Sequence, residues 1–555
     1  MTINTEVVEV SPYGLYSLLK VRQFFNMTKI LYLCRSTKWS FSQEFTTMLK
    51  IFRPLYFLAV IIFIVSSCST ENNYSEQNRL QYHFSPEKHW MNDPNGLVWF
   101  EGEYHLFYQY YPDSTVWGPM HWGHAVSKDL VHWKNLPVAL YPDSLGYIFS
   151  GSAVIDNNNS SGLQSGDYPP MIAVFTQHSE KRLKEGRSDY QNQSIAFSND
   201  KGRTFTKYAH NPVIANPGEK DFRDPKVIRI DSLNKWVMVL AAGQKVEFFG
   251  SENLIKWEHM SDFGNDIGAH GGVWECPDLF PLRNGDSTKW VLLVSINPGG
   301  PNGGSATQYF TGDFNGTKFI PDASQDSTMW LDYGPDDYAG VTYSGIPSSD
   351  GRRIFIGWMN NWAYAQLIPT SGWRSAMTLP RKLFLKNING RLRVCSMPVK
   401  EINSLIKGEH NINLVPDSAI AISGLNELML NFDLSGTVSE DFGLVFSNNL
   451  NEKLIVGFNR KENRFYIDRS KCGQTGFSPV FAERHYAPRF ATGDTLKFNL
   501  FLDHGSLEMF ADDGAEVMTE TFFPNSDLNT ISLFTYGGDV KPGKCIVRDL
   551  ESSWH

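Results

Sequence analysis

His105-Leu106-Phe107-Tyr108-Gln109 is the first of five short apolar runs on which the reading of this chain turns. The others are Met171-Ile172-Ala173-Val174-Phe175, Trp236-Val237-Met238-Val239-Leu240, Trp290-Val291-Leu292-Leu293-Val294 and Ile354-Phe355-Ile356-Gly357-Trp358. Each follows an earlier strand-like stretch and a polar turn, such as Glu101-Gly102-Glu103 or Arg283-Asn284-Gly285-Asp286. Short runs of β-branched and aromatic residues between turn signals predict strands, and helical periodicity is hard to find between residues 82 and 400. After four of the runs a small residue precedes an acid or amide and then an aromatic. These are Ser127-Lys128-Asp129 with Trp133, Ser198-Asn199-Asp200 with Phe205, Ser251-Glu252-Asn253 with Trp257, and Thr311-Gly312-Asp313 with Phe319. One hairpin turn is being repeated. Units of roughly 50 to 75 residues, each with several antiparallel strands, predict an all-β chain with a five-bladed β-propeller. Two β-sandwiches with coincidental repeats are the competing architecture.

A propeller has a chemical consequence. The first strand of every blade lines the central channel, so the residues at the starts of those strands converge at one mouth. Here they are Asp93, Phe149-Ser150-Gly151, Arg223-Asp224-Pro225, Trp274-Glu275-Cys276-Pro277 and Asp336-Asp337-Tyr338. At least three carboxylates are expected in one funnel. In Trp90-Met91-Asn92-Asp93-Pro94-Asn95-Gly96, proline disfavours the helical region for Asp93 and glycine relieves the turn. Asp93 is therefore expected just before the strand Leu97-Val98-Trp99-Phe100.

At 555 residues, 41% hydrophobic and 20% charged, the chain is long enough for two domains and has the composition of a folded protein. From Met48, Lys50 and Arg53 precede the apolar run Leu55 to Val65 and the small-residue site Ser66-Ser67-Cys68. This predicts a lipoprotein signal peptide over 48–67, with a lipid anchor on Cys68 and residues 1–47 as an upstream extension. Polar residues 68–79 read as a tether. The first 67 residues hold seven of the 50 Lys+Arg and three of the 59 Asp+Glu, which leaves a body of net charge −13. An acidic body argues against nucleic acid as a partner. Cys276, Cys395, Cys472 and Cys545 form no CxxC pair and suggest neither a zinc site nor a disulfide framework.

The motifs containing Asp93, Phe222-Arg223-Asp224-Pro225 and Trp274-Glu275-Cys276-Pro277 resemble, in that order, the three signatures of glycoside hydrolase family 32, the β-fructofuranosidases. Longer stretches, such as Trp117-Gly118-Pro119-Met120-His121-Trp122-Gly123-His124, are similar to its levanases and exo-fructanases. The resemblance implies a catalytic propeller over 80–400, a linker to about Asn411 and a C-terminal β-sandwich over 411–555. It further implies retaining hydrolysis of β-fructosidic bonds in levan, inulin or sucrose, with release of terminal fructose. Asp93 would be the nucleophile, Glu275 the acid/base, and Asp224 the acid that steadies the transition state. Burial against Trp274 and nearby carboxylates would keep Glu275 protonated. Asn92, Gln109, Phe149, Ser150 and Arg223 would contact the sugar, with Trp117 and Trp358 as walls. Trp122, His124 and Trp362 could belong equally to the core. Cys276 reads as a buried filler. No metal or organic cofactor is implied, and a monomer on a bacterial cell envelope is expected. Endo-acting cleavage and fructosyl transfer would use the same residues. A non-catalytic fructan-binding lipoprotein would not need three converging acids.

Overall fold

Strands dominate residues 74–323 and 327–554, which the computed structural model describes; the helices there are short. The five runs lie in the second strands of five antiparallel sheets: Glu103–Tyr111, Met171–His178, Lys235–Ala242, Ser287–Asn297 and Arg353–Met359. They read as unbroken apolar runs because both faces are covered; every residue of Met171–His178 is buried. The partner first strands are His89–Phe100, Tyr147–Ile155, Phe222–Ile230, Val273–Asn284 and Tyr338–Thr342. These touch one another in a ring, the fifth closing on the first, so the sheets are blades of a β-propeller.

The repeated signature is the turn from third to fourth strand. Asp129 and Asn253 each accept, through Oδ1, the backbone N–H groups of residues two and three positions on. Trp133 and Trp257 donate their indole N–H to the carbonyls of Leu130 and Leu254. Blade four departs from expectation. Asp313 lies within the strand Ala306–Phe314, and Asn315 caps the turn by accepting from Thr317 and Lys318.

Asp93 does not precede its strand. It sits inside His89–Phe100, where the pairing with Glu103–Tyr111 skips between Met91 and Pro94. The other four first strands are bulged at the equivalent place, beside Ser150, Asp224, Glu275 and Tyr338. A bulge leaves one residue out of the ladder, so a proline without an N–H is tolerated there and a side chain is re-aimed. Asp224 and Cys276, each before a proline, take φ of 67° and 44°. Gly96, with φ of 55°, packs so closely on Phe107 that a Cβ would stand 2.6 Å from the ring.

Residues beyond blade five form two six-stranded antiparallel sheets that enclose Phe432, Phe442, Phe458, Phe465 and Phe498. Ile406–Ile412, expected as linker, is a strand paired with Pro542–Leu550. The tether likewise ends sooner than expected. Tyr74 stacks on Trp554 at 3.8 Å, and Arg79, 1% exposed, lies between the rings of Tyr74 and Trp373. Aromatic stacking and a sandwiched guanidinium are enough to fix a polar segment. Cys68 and the signal segment lie outside the described residues.

The propeller meets the sandwich through buried charge. Arg381 donates to Asp332 and Asp337 of blade five, both at 2.9 Å, and to Glu508 of the sandwich at 3.0 Å. Asp336 pairs with Arg469 of the sandwich at 2.6 Å. Asp336 and Asp337 thus face the sandwich and not the funnel, a correction to the sequence reading. Buried acids need buried cations, and theirs lie far along the chain.

His83 completes this contact, its two nitrogens 2.8 Å from Asp503 and 2.9 Å from Glu508. Burial pulls its pKa down, but the bonds and charges of the two acids outweigh that and lift it from 6.5 to about 9. A raised pKa gives stabilisation that is complete below the unfolded value and lost as pH rises through the folded one. The Tm advantage of wild type over His83→Gln should therefore narrow between about pH 6.5 and about pH 9. A gap that widened over that range would show that His83 is not held charged.

Candidate active site

Trp90 organises the nucleophilic end of the funnel. Its indole N–H, fully buried, donates to Asn92 Oδ1 at 2.7 Å, which fixes the amide so that Asn92 Nδ2 donates to Asp93 Oδ1 at 3.0 Å. Ser150 Oγ, from the neighbouring blade two, donates to Asp93 Oδ2 at 2.7 Å. Asn95 reaches back to the Asp93 carbonyl at 2.7 Å and accepts from Gln109 Nε2 at 2.9 Å. Both carboxylate oxygens of Asp93 are thus oriented by neutral donors. Burial nevertheless raises its pKa; Asn92 and Ser150 pull it back, and the charge of Glu275 adds to the rise.

Blades three and four bring the other acids. Asp224 Oδ2 accepts from the Cys276 backbone N–H at 3.1 Å, and the Cys276 thiol lies 3.6 Å from both Asp93 and Asp224. Burial lifts Asp224 to about 7; Arg223 opposes that rise, while Glu275 and Asp93 add to it. Burial and the surrounding acids push the Cys276 thiol well above its ordinary value, so it stays a neutral S–H and a weak donor. Glu275 Oε1 accepts from Arg223 Nε at 3.1 Å and Nη2 at 2.9 Å; Arg223 also holds Asp221 at 2.7 Å. Tyr338 donates to Glu275 Oε2, its phenol pushed far up by burial and by Glu275. Trp274, expected to bury Glu275, instead packs in a blade core with Phe310 and Val294.

These groups open on a cavity of about 390 Å³ lined by Asn92, Asp93, Gln109, Trp117, Phe149 and Ser150. Arg223, Asp224, Glu275, Tyr190, Trp362 and Gln366 complete the lining. A larger cavity, about 480 Å³, opens where the first strands leave the channel, lined by Trp236, Trp290 and Arg353. Its inward acid, Asp156, is saturated by Ser160 and Ser161, so the reactive carboxylates belong to the smaller one. Three carboxylates, an arginine and flat aromatic walls around a small cleft suit acid–base chemistry on a polyhydroxylated ring.

Residues 83–396 match the Glycosyl hydrolases family 32 N-terminal domain, and residues 401–551 match the Glycosyl hydrolases family 32 C terminal domain. The chain belongs to glycoside hydrolase family 32. A levanase of Bacillus subtilis is 45% identical to it over 90% of this chain and 74% of the levanase. An extracellular exo-inulinase of Aspergillus ficuum is 39% identical over 90% of this chain and 99% of its own length. The crystal structure of an exo-inulinase from Aspergillus awamori superposes with a TM-score of 0.81 at 36% identity, over 87% of this chain and 100% of that one. The family-32 chain is accordingly an enzyme, a glycoside hydrolase with a five-bladed propeller followed by a β-sandwich.

Of the residues singled out from the sequence, Asn92, Asp93, Gln109, Trp117, Phe149, Ser150, Arg223, Asp224 and Glu275 line this one cavity. Trp358 does not. It is fully buried behind Trp362, with ring centroids 4.9 Å apart, and Trp362 forms the wall. Trp122 and His124 are core residues: the first donates to the Phe149 carbonyl at 3.0 Å, and the second packs on His105 and Phe107. Tyr338, expected at the mouth only as the neighbour of Asp336 and Asp337 and given no role, holds Glu275 from the blade-five position that mirrors Asp93. Leu183 and Tyr190 had no signal in the sequence; they come from a loop holding the five-residue helix Glu180–Lys184, too short for periodicity to reveal.

The hydrogen bond from Ser150 opposes the rise that burial imposes on the Asp93 pKa, so removing it should raise that pKa further. In Ser150→Ala the acid limb of the kcat/KM profile is expected to move to higher pH. A limb that stayed put or moved to lower pH would show that Asp93 does not set it.

Proposed function

We propose that this enzyme hydrolyses β-fructosidic bonds of levan or inulin with retention, releasing fructose from chain ends. The observation that carries the reading is that Asp93, Asp224 and Glu275 open together on one cleft whose floor fixes Asp93 and whose side holds Glu275. Asp93 attacks the anomeric carbon from one face while Glu275 gives its proton to the leaving oxygen. Glu275, now a carboxylate, takes a proton from water, which displaces Asp93 and restores the configuration. The transition state is oxocarbenium-like, and Asp224 accepts hydrogen bonds from ring hydroxyls as positive charge develops. Tyr338 and Arg223 aim the Glu275 carboxyl.

Chain-end attack is favoured by the form of the cleft. At about 390 Å³, with Trp117, Phe149 and Trp362 around it, it lies toward the small end of ligand pockets, where an internal cut needs an open groove. The similarity to a levanase and to exo-inulinases supports a fructan as substrate. Levan, inulin and sucrose are incubated separately and the early products chromatographed. Free fructose accumulating from the first time points is expected. Early fructo-oligosaccharides with a rapid fall in viscosity would replace this reading with endo-cleavage, and transfer products at high sucrose would replace it with a fructosyltransferase.

The same proposal places the enzyme on a bacterial envelope through Cys68. Its motivation is the charged, apolar and small-residue order of 48–68. Fatty-acid labelling of the wild type but not of Cys68→Ala is expected, and equal labelling would remove the anchor.

A further inference from the structure

The pocket wall supplied by blade five is carried on a short segment whose middle residue faces the other domain. Trp362 and Gln366 line the cleft, and Tyr364, midway between them, is buried, 3% exposed, on the sandwich side. Its hydroxyl donates to Asp336 Oδ1 at 2.5 Å and accepts from Arg469 Nη2 at 2.9 Å. Its ring stands edge-on to Phe481 at 5.1 Å. Arg469 and Phe481 belong to the sandwich. Arg469 is itself pinned, donating to Asp336 Oδ2 at 2.6 Å and to the Phe481 carbonyl at 2.8 Å, with its guanidinium 3.8 Å over the Phe481 ring. Thr521, also of the sandwich, donates to Asp336 through its backbone and its hydroxyl.

On the propeller side the segment is held by separate contacts, among them a bond from buried Arg374 to the Gln366 carbonyl and the Trp358 ring against Trp362. The Trp362 N–H donates to Ser305 Oγ at 3.2 Å, and the Asn361 side chain reaches the Pro335 carbonyl at 2.8 Å. The Trp362 ring then rests on Trp90 at 5.9 Å, the residue that orients Asn92 beside Asp93. A fully satisfied buried polar cluster has one low-energy arrangement, so whatever it holds inherits its rigidity.

We propose that Tyr364 is a positioning residue through which the C-terminal sandwich fixes the Trp362–Gln366 wall of the fructan-binding cleft. The sandwich is then part of the substrate-binding apparatus without touching substrate. This inference rests on the fructan reading above.

The test is a double-mutant cycle between Tyr364→Phe and Trp362→Ala, with kcat and KM measured on levan and inulin and with Tm recorded. Tyr364→Phe keeps the ring against Phe481 and removes only the hydroxyl. It is expected to raise KM about fivefold with kcat within about twofold of wild type, the signature of lost substrate binding. Trp362→Ala should raise KM by at least as much. In the Trp362→Ala background, Tyr364→Phe should raise KM by clearly less than about fivefold, because the indole it positions is gone and only Gln366 remains. A purely structural tyrosine would lower Tm and act equally in both backgrounds. Equal fold-changes in the two backgrounds, or an unchanged KM in Tyr364→Phe alone, would overturn the proposal. If Tyr364→Phe does not fold, Phe481→Leu carries the same cycle from the sandwich side. A wild type that releases no fructose from either polymer would instead remove the fructan reading, and this inference with it.

Discussion

Asp93→Asn is expected to lower kcat on a fructan by on the order of a thousandfold or more, with Tm within a few degrees of wild type. An amide of the same shape can keep the contacts to Asn92 and Ser150, but it cannot form the bond to the anomeric carbon. Loss of the covalent step without loss of the fold distinguishes a nucleophile from a buried structural acid. Retention of more than about a tenth of wild-type turnover would take the nucleophile away from Asp93. Structure determination or circular dichroism of the variant would show that the propeller is intact.

A loss of comparable size is expected for Glu275→Ala, and here the chemistry allows a sharper check. With an activated fructoside, whose leaving group needs no proton, the variant should still form the fructosyl–Asp93 intermediate and stall there. Azide needs no general base, so it should displace Asp93 and yield fructosyl azide of retained configuration. Asp93→Ala should give no retained azide product. Absence of rescue in Glu275→Ala, under conditions where the activated substrate is consumed by wild type, would move the acid/base role to Asp224.

Much of this site was legible because the motifs that carry it are local. Asp93, Asp224 and Glu275 each sit beside a bulge, and proline or glycine next to an acid in strand-like surroundings is visible in one dimension. What sequence could not supply was direction. Asp336 and Asp337 look like further funnel acids until Arg469 and Arg381 are seen behind them. Those cations lie 133 and 44 residues away in the chain. The resemblance favours Trp358 over Trp362 as a wall, yet a strand that ends at Met359 buries the first and leaves the second on the segment that turns into the cleft. Tyr338 carries no motif of its own; the blade start places it at the mouth beside Asp336 and Asp337, and the bulge singles it out from them.

The tether and the linker were misjudged for a shared reason. Polar composition predicted loose chain for residues 74–79 and 406–411, yet one is clamped by Tyr74, Trp373 and Trp554 and the other is an edge strand beside Pro542–Leu550. Half-exposed edges and cation-stacked segments are polar without being free.

The four thiols of the folded body also report on its breathing. Cys276 and Cys395 lie in the propeller, Cys472 and Cys545 in the sandwich, and all four are buried and unpaired. An alkylating reagent can reach each one only when its surroundings open, so the order of labelling reads the order in which the two halves come apart. Cys276, wedged between two active-site carboxylates, times the opening of the cleft floor itself. A ligand that fills the cleft should slow that clock and leave Cys545, in the far core, keeping its own time.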